Sequence, residues 1–181
     1  QEQSSPSYMS RGEFGARRGH TRVMALLKKH DIPATFFIPA MTMELHPEII
    51  KGLKDNPKYE IGFHSYVHEN PLKLDETDER RIYKYAMEIF EKHVGRRPAG
   101  FRSAAWDLTG STIKIVQEMG FVYESSMMAD ERPYMLLSEG KETGLVELPV
   151  EWILDDWPLF QISWPTGHVA MRNAGDVMSI W

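Results

Sequence analysis

Short apolar runs closed by proline or glycine alternate along this chain with segments of helical period, and no other feature of the sequence restricts the fold as much. Residues 34–40 (ATFFIPA) are such a run, and residues 58–63, 100–104, 121–126 and 145–150 repeat the type. Brief stretches rich in β-branched and aromatic side chains read as buried strands. The segment after His46 places Pro47 at a first helical turn and Glu48 at its positive end, with Ile49, Ile50 and Leu53 inward. Residues 75–93 give the clearest helix: Asp75 or Thr77 can cap it, and Ile82, Tyr85, Ala86, Ile89 and Phe90 recur at helical spacing before Gly95 and Pro98 stop it. Residues 111–119 read as another helix, ended by Gly120. This alternation, with connections of a few residues, predicts an α/β fold whose parallel strands are joined by right-handed helical crossovers. Five such strands make part of a (β/α) barrel or a small open sheet.

The flanks are less patterned. Residues 1–19 are polar and carry Arg11, Gly12, Gly15, Arg17, Arg18 and Gly19; they read as a solvated connection, with an anion-binding loop as the sharper alternative. Residues 21–30 read as a helix with Val23, Leu26 and Leu27 on one face and Lys28, Lys29 and His30 in its last turn. Residues 139–144 read as a polar loop. The 181 residues suffice for one domain, so residues 1–181 are taken as a single unit. A net charge of -5 gives no sign of a nucleic-acid partner, and no apolar run reaches the length of about 18 residues that a membrane helix needs. Without cysteine, thiolate metal sites, disulfides and cysteine nucleophiles are excluded. Residues 1–7 lack the apolar core of a signal peptide, which leaves the compartment open with a slight lean to the cytoplasm. The eleven methionines are scattered, and most are expected to fill core gaps.

Chemistry concentrates after three of the strands. His64 and His68 are four apart, behind the run that ends at Phe63 and ahead of Pro71, which forbids a long helix from carrying them as ordinary face residues. Imidazoles so placed at the carboxyl end of a strand are candidate ligands for one divalent ion. Arg102 leaves the third strand, where its guanidinium could orient a carboxylate through two parallel hydrogen bonds or simply pair with Asp107. The stretch 147–158 places Asp155 and Asp156 between Trp152 and Trp157, a composition suited to gripping a sugar or a planar polar ligand, although paired acids in a loop are usually just solvated. There is no GxSxG elbow, no GxxxxGK phosphate loop and no HExxH, so serine hydrolases, P-loop enzymes and zinc proteases of that type are disfavoured.

From about Met9 to Trp181 the chain resembles the polysaccharide deacetylases of NodB homology, carbohydrate esterase family four. The resemblance rests on ATFFIPA, HSYVH followed by ENP, FRSAAWDLT, EMGFVYESSMM and LVELPVEWILDDWP, in that order. HSYVHENP with WILDD points to the branch of peptidoglycan deacetylase-like enzymes and metal-independent allantoinases. The resemblance implies an irregular (β/α) TIM-like barrel. It also implies a divalent metal, usually zinc, held by His64, His68 and an aspartate, activating water against an acetamide. Arg102 takes the role of orienting the catalytic base, and Trp106, Trp152 and Asp155 take wall positions for a carbohydrate substrate. The family's paired aspartates belong to a first strand that falls before Gln1, and the first 30 residues contain no Asp. The late histidine motif is not met either, since His168 in Thr166-Gly167-His168-Val169 lacks the usual apolar strand before it, and Ala104 replaces a proline in the arginine motif. The expectation is therefore an incomplete catalytic domain without its base, one metal ligand and its acid. Two alternatives stand beside deacetylation: metal-independent opening of a cyclic amide such as allantoin, and a non-catalytic carbohydrate-binding barrel. No oligomeric state is implied.

Overall fold

Five strands run parallel in the computed structural model, which describes residues 6–160, 162–163 and 168–181. They are β1 (Ala34–Ile38), β2 (Tyr59–Phe63), β3 (Gly100–Phe101), β4 (Tyr123–Glu124) and β6 (Lys141–Glu147), hydrogen-bonded in that order. β5 (Tyr134–Ser138) lies antiparallel against β6 at the edge. The five strand runs of the sequence are the five parallel strands, and the sheet stays open, as part of a barrel. β5 is the element the sequence reading lacks. Residues 139–144, read as a loop, are instead the turn of a β5–β6 hairpin and the first half of β6: Glu139 and Gly140 both take left-handed conformations (φ 51° and 74°), as a two-residue hairpin turn requires. The outward half of that hairpin is polar, which hid its alternation.

Helices cover one face. α3 (Ala40–Leu45) and α4 (Pro47–Leu53) lead from β1 to β2, α5 (Glu76–Val94) from β2 to β3, and α6 (Gly110–Glu118) from β3 to β4. Asp75 caps α5 by accepting from the Asp78 amide at 2.8 Å, and Thr109 caps α6 through a reciprocal pair with Thr112. The buried face of α5 is rotated from the expected one: Tyr83 and Met87 join Ala86, Ile89 and Phe90, while Tyr85 is 48% exposed. The rotation follows from Glu79, which is buried because its carboxylate accepts from Thr112 Oγ1 at 2.6 Å. Phe63 is the hub of the core, with Phe121, Tyr83 and Phe101 ring centroids at 5.4, 5.7 and 6.0 Å.

The N-terminal region differs most from expectation. Residues read as a solvated loop form α1 (Pro6–Phe14) and a π-helical turn (Gly15–Gly19) that runs on into α2 (His20–His30). An Arg17–Glu13 pair at 2.8 Å spans one turn, and the wider π turn falls where the glycines cluster. On α2 the inward residues are Met24 and Leu27, whereas Val23 and Leu26 are exposed. Fewer than half of the methionines serve as core filler: Met43 and Met87 are buried and Met24, Met119 and Met127 pack against the core, but Met9, Met41, Met128, Met135, Met171 and Met178 are exposed. α7 (Trp157–Phe160), a short β7–β8 pair (Ile162–Ser163 with His168–Val169) and α8 (Ala174–Ile180) complete the described chain. Residues 1–5 of the signal-peptide reading, and Thr166-Gly167 of the late histidine motif, lie outside the described residues. Among the described residues no helix is long and apolar enough to cross a membrane.

Candidate active site

Side chains alternate across β2, so Tyr59, Ile61 and Phe63 enter the helix-side core while Gly62 and His64 belong to the other face. That face is packed by rings laid over glycines. A Cβ on Gly62 would come within 2.5 Å of the Phe37 ring, and one on Gly100 within 2.0 Å of Tyr123. Both glycines are therefore required by close approach. Beyond this packed layer the chain leaves β2 at His64, β3 at Arg102 and β4 at Ser125, all at the carboxyl ends of parallel strands, where α/β folds gather functional groups.

His64 is held on one side. Its Nδ1 lies 2.6 Å from the Arg102 carbonyl oxygen, so Nδ1–H donates there and Nε2 keeps its lone pair. Burial, the largest effect, pushes the His64 imidazole down to about 4, and the neighbouring His68 and Arg102 act the same way; the bond to the Arg102 carbonyl opposes them. The ring is thus neutral at ordinary pH. The His68 ring stands edge-on to it, with centroids 4.8 Å apart. Two imidazoles this close fit a divalent ion as two of its ligands. Among the described residues no third His, Asp or Glu joins them in a metal-holding cluster.

The loop between the histidines is tied down by Glu69. Its Oε2 accepts from Ser65 Oγ at 2.5 Å, Val67 N at 2.9 Å and Tyr66 N at 3.2 Å. Ser65 and His68 both have left-handed backbones (φ 61° and 67°), a conformation that costs roughly 1–2 kcal/mol for a residue with a Cβ. The carboxylate offsets that strain. Asn70 closes the loop, donating to Asp107 Oδ2 at 2.5 Å and accepting from Leu72 N at 2.9 Å.

Arg102 takes neither partner its sequence position suggests. Asp107 is occupied by Asn70, and among the described residues the guanidinium bonds to no carboxylate. It donates instead to Ser125, from Nε to the carbonyl at 2.8 Å and from Nη2 to Oγ at 2.7 Å. Its plane lies over Phe37, with Cζ 4.4 Å from the ring centroid. Ser125 Oγ passes the chain on, donating to the Leu148 carbonyl at 2.8 Å. The remaining guanidinium N–H groups are available to an incoming acceptor.

Opposite the histidines, Trp106 and Trp152 are in contact at a tilt, with ring centroids 4.3 Å apart and planes at 43°, and Asp155 Oδ1 accepts from Trp157 N at 3.0 Å. Trp106 adopts a left-handed backbone (φ 59°), as does Ala105 beside it (φ 56°). All six residues singled out in the sequence, His64, His68, Arg102, Trp106, Trp152 and Asp155, line one cavity of about 550 Å³. A neighbouring cavity of about 780 Å³ shares Arg102, Trp106 and Asp155 and adds Asp130, Glu131 and Glu151. His168 lies on β8, its Cα paired with Ser163. Sequence reasoning missed Glu69, Phe37 and Ser125. For Glu69 a signal was present, an acid directly after His68 in a loop too short to be a helix face; for the other two there was none, because their roles depend on strands adjacent only in space.

The polysaccharide deacetylase family model matches residues 12–123, from within α1 to the first residue of β4. The peptidoglycan deacetylase of Helicobacter pylori is 31% identical over 178 residues, taking in 86% of this chain and 60% of that protein. A Mycobacterium smegmatis structure assigned as a polysaccharide deacetylase superposes with a TM-score of 0.88 at 33% identity, covering 97% of this chain and 61% of that one. The Puue allantoinase structure superposes at 0.83 with 27% identity, covering 97% and 56%. The chain thus spans less than two thirds of the length of these relatives. Since the family match takes in more than half of the chain and includes both histidines and Arg102, this chain belongs to the polysaccharide deacetylases.

Proposed function

We propose that this chain supplies part of the active site of a metal-dependent hydrolase that removes N-acetyl groups from an amino-sugar polymer, peptidoglycan being the favoured substrate. The observation that carries the reading is the arrangement of His64: Nδ1 bound to the Arg102 carbonyl, Nε2 without a hydrogen-bond partner among the described residues, and His68 beside it in one cavity. A histidine oriented through its other nitrogen is the usual state of a metal ligand. His64 and His68 would hold the ion, zinc by resemblance to the family, with a carboxylate completing the set. When bound, the ion supplies Lewis acidity at the scissile carbonyl.

The chain's own residues do the rest. Arg102, fixed by Ser125 and Phe37, presents its remaining donors to a carboxylate base or to a substrate oxygen. Trp106 and Trp152 offer apolar ring faces to a sugar, and Asp155 offers an acceptor to its hydroxyls. The likeness to a peptidoglycan deacetylase supports the choice of substrate.

A second reading is favoured by one observation, the 0.83 TM-score with an allantoinase. In that reading the same cavity opens a cyclic amide without metal. The deciding experiment gives the protein N-acetylated chitooligosaccharide, peptidoglycan fragments and allantoin in parallel, with and without chelator. Acetate release that stops with chelator and returns with zinc is expected; ring opening indifferent to chelator would replace the proposal with its rival.

A further inference from the structure

Among the described residues three fully buried carboxyl groups lie outside the cavity described above, and two of them face each other: Glu124 on β4 is the register partner of Glu147 on β6. The Ser126 amide donates to both, to Glu124 Oε2 at 2.9 Å and to Glu147 Oε1 at 3.0 Å, and Met127 N adds a bond to Glu147 Oε1 at 3.0 Å. Ser126 Oγ bonds to Glu124 Oε1 and accepts from Ser103 N at 2.9 Å. Two ionised carboxylates sharing one donor in a dry layer repel strongly, and such pairs keep one proton between them. Glu147 Oε2 is buried with no hydrogen-bond partner among the described residues, which is the position a shared proton satisfies. Burial first, and the neighbouring Glu147 carboxyl second, push Glu124 up to about 9. The titratable groups facing the pair are Arg102, from the connection after β3, and Tyr134, from β5. One net negative charge on the pair matches the single guanidinium.

We propose that Glu124 and Glu147 hold one proton between them and act as a positioning pair, fixing the 125–127 turn that in turn sets Arg102 and His64. The connection is continuous. The pair holds Ser126 and Met127; Ser125, in the same turn, receives Nε and Nη2 of Arg102; and the Arg102 carbonyl receives His64 Nδ1–H. Removal of the shared proton at high pH leaves two charges in contact and loosens the turn, and with it the guanidinium. The proposal deepens the deacetylase reading and rests on its placement of Arg102 and His64 in the site.

The test is nitrogen-15 NMR of the Arg102 Nε–H group in this chain, followed from neutral pH through the range in which Glu124 titrates, about 9. In the wild type the resonance should shift and broaden as the pair loses its proton. In Glu124→Gln it should hold its neutral-pH position throughout, because the amide donates as the acid did and does not titrate. In Glu124→Leu, which fills space without donating, it should be displaced at every pH. Base-catalysed exchange accelerates in all three, so the reading is the difference between them. A wild-type resonance that does not respond in this range overturns the proposal, as does a Glu124→Gln protein that responds as the wild type does. Should Glu124→Gln fail to fold, the wild-type scan decides alone. No turnover is involved, so a failed acetate assay leaves this result standing, and an unresponsive resonance leaves the deacetylase reading standing.

Discussion

The two walls of the cavity are built by opposite means. On the histidine wall every orienting group is tied to the chain's own framework: His64 to the Arg102 carbonyl, the 64–68 loop to Glu69, Arg102 to Ser125 and the Phe37 ring. On the tryptophan wall the side chains stand largely in solvent. Trp152, Ile153 and Leu154 are 44%, 56% and 68% exposed, and the segment is anchored by Glu151 capping the Trp152 amide and by Trp181 Nε1 donating to the Ile153 carbonyl at 2.7 Å. On the proposed reading, the groups that would meet a small, geometrically demanding ion are held rigidly, and those that would meet a polymer of variable shape are left to adapt. The contrast predicts that the histidine wall is sensitive in both stability and binding, and the tryptophan wall in binding alone.

The largest effect should come from His64→Ala. In a zinc competition titration the wild-type chain should bind weakly, since two imidazoles fall short of the three or four ligands of ordinary zinc sites, and the variant should lose that binding altogether. Tight binding by the wild type would mean that a third ligand joins the pair on metal entry, and the histidine wall would then be less rigid than it looks.

Next in size is an acid effect carried by the same residue. Burial holds folded His64 at about 4 against an ordinary 6.5, so between those values the unfolded chain binds the extra proton and the folded one does not. Stability is therefore fully present above about pH 6.5 and is lost as pH falls toward about 4, by on the order of 3 kcal/mol. Urea unfolding in chelator at both ends of that window should show the loss in the wild type and a flatter profile in His64→Gln. Equal slopes would place His64 in water and break the contrast between the walls.

Glu69→Ala tests the loop rather than the ligands. It strands the Tyr66 and Val67 amides over two left-handed residues, and should cost about 2 kcal/mol of folding stability by thermal or urea unfolding. A loss within the noise would mean that the strain at Ser65 and His68 is relieved some other way, and the comparison would rest on Arg102 alone.

How much of this is legible in the chain follows from which signals are local. His64, His68, Arg102, Trp106, Trp152 and Asp155 can be singled out because each follows a run that proline and glycine punctuate, and strand ends are where a parallel sheet gathers chemistry. Their common cavity is legible to that extent. The partner of Arg102 is not: Ser125 is 23 residues away and becomes adjacent only through the β3–β4 pairing. Glu79, Glu124 and Glu147 mislead in the same way. Each looks like a solvated charge, and each is buried because a neighbouring element supplies hydrogen-bond partners, which also explains why the inward face of α5 is turned from Tyr85 to Tyr83. The N-terminal helix is misread for the opposite reason, since glycine costs a helix only about 1 kcal/mol and does not forbid it.

The smallest structural effect, and the sharpest test of the contrast, is Trp152→Ala. The side chain is half exposed and its ring lies against that of Trp106 at the surface, so removing it should change folding stability by less than about 0.5 kcal/mol. Its effect should appear only when sugar is present: stacking on an aromatic face contributes on the order of 1 kcal/mol, so affinity for an N-acetylated oligosaccharide should fall about five- to tenfold by calorimetry while zinc affinity stays unchanged. A variant that binds sugar as the wild type does removes Trp152 from the substrate wall. A variant that unfolds early shows instead that the tryptophan wall is as much a part of the framework as the histidine wall, and the division of labour between them fails.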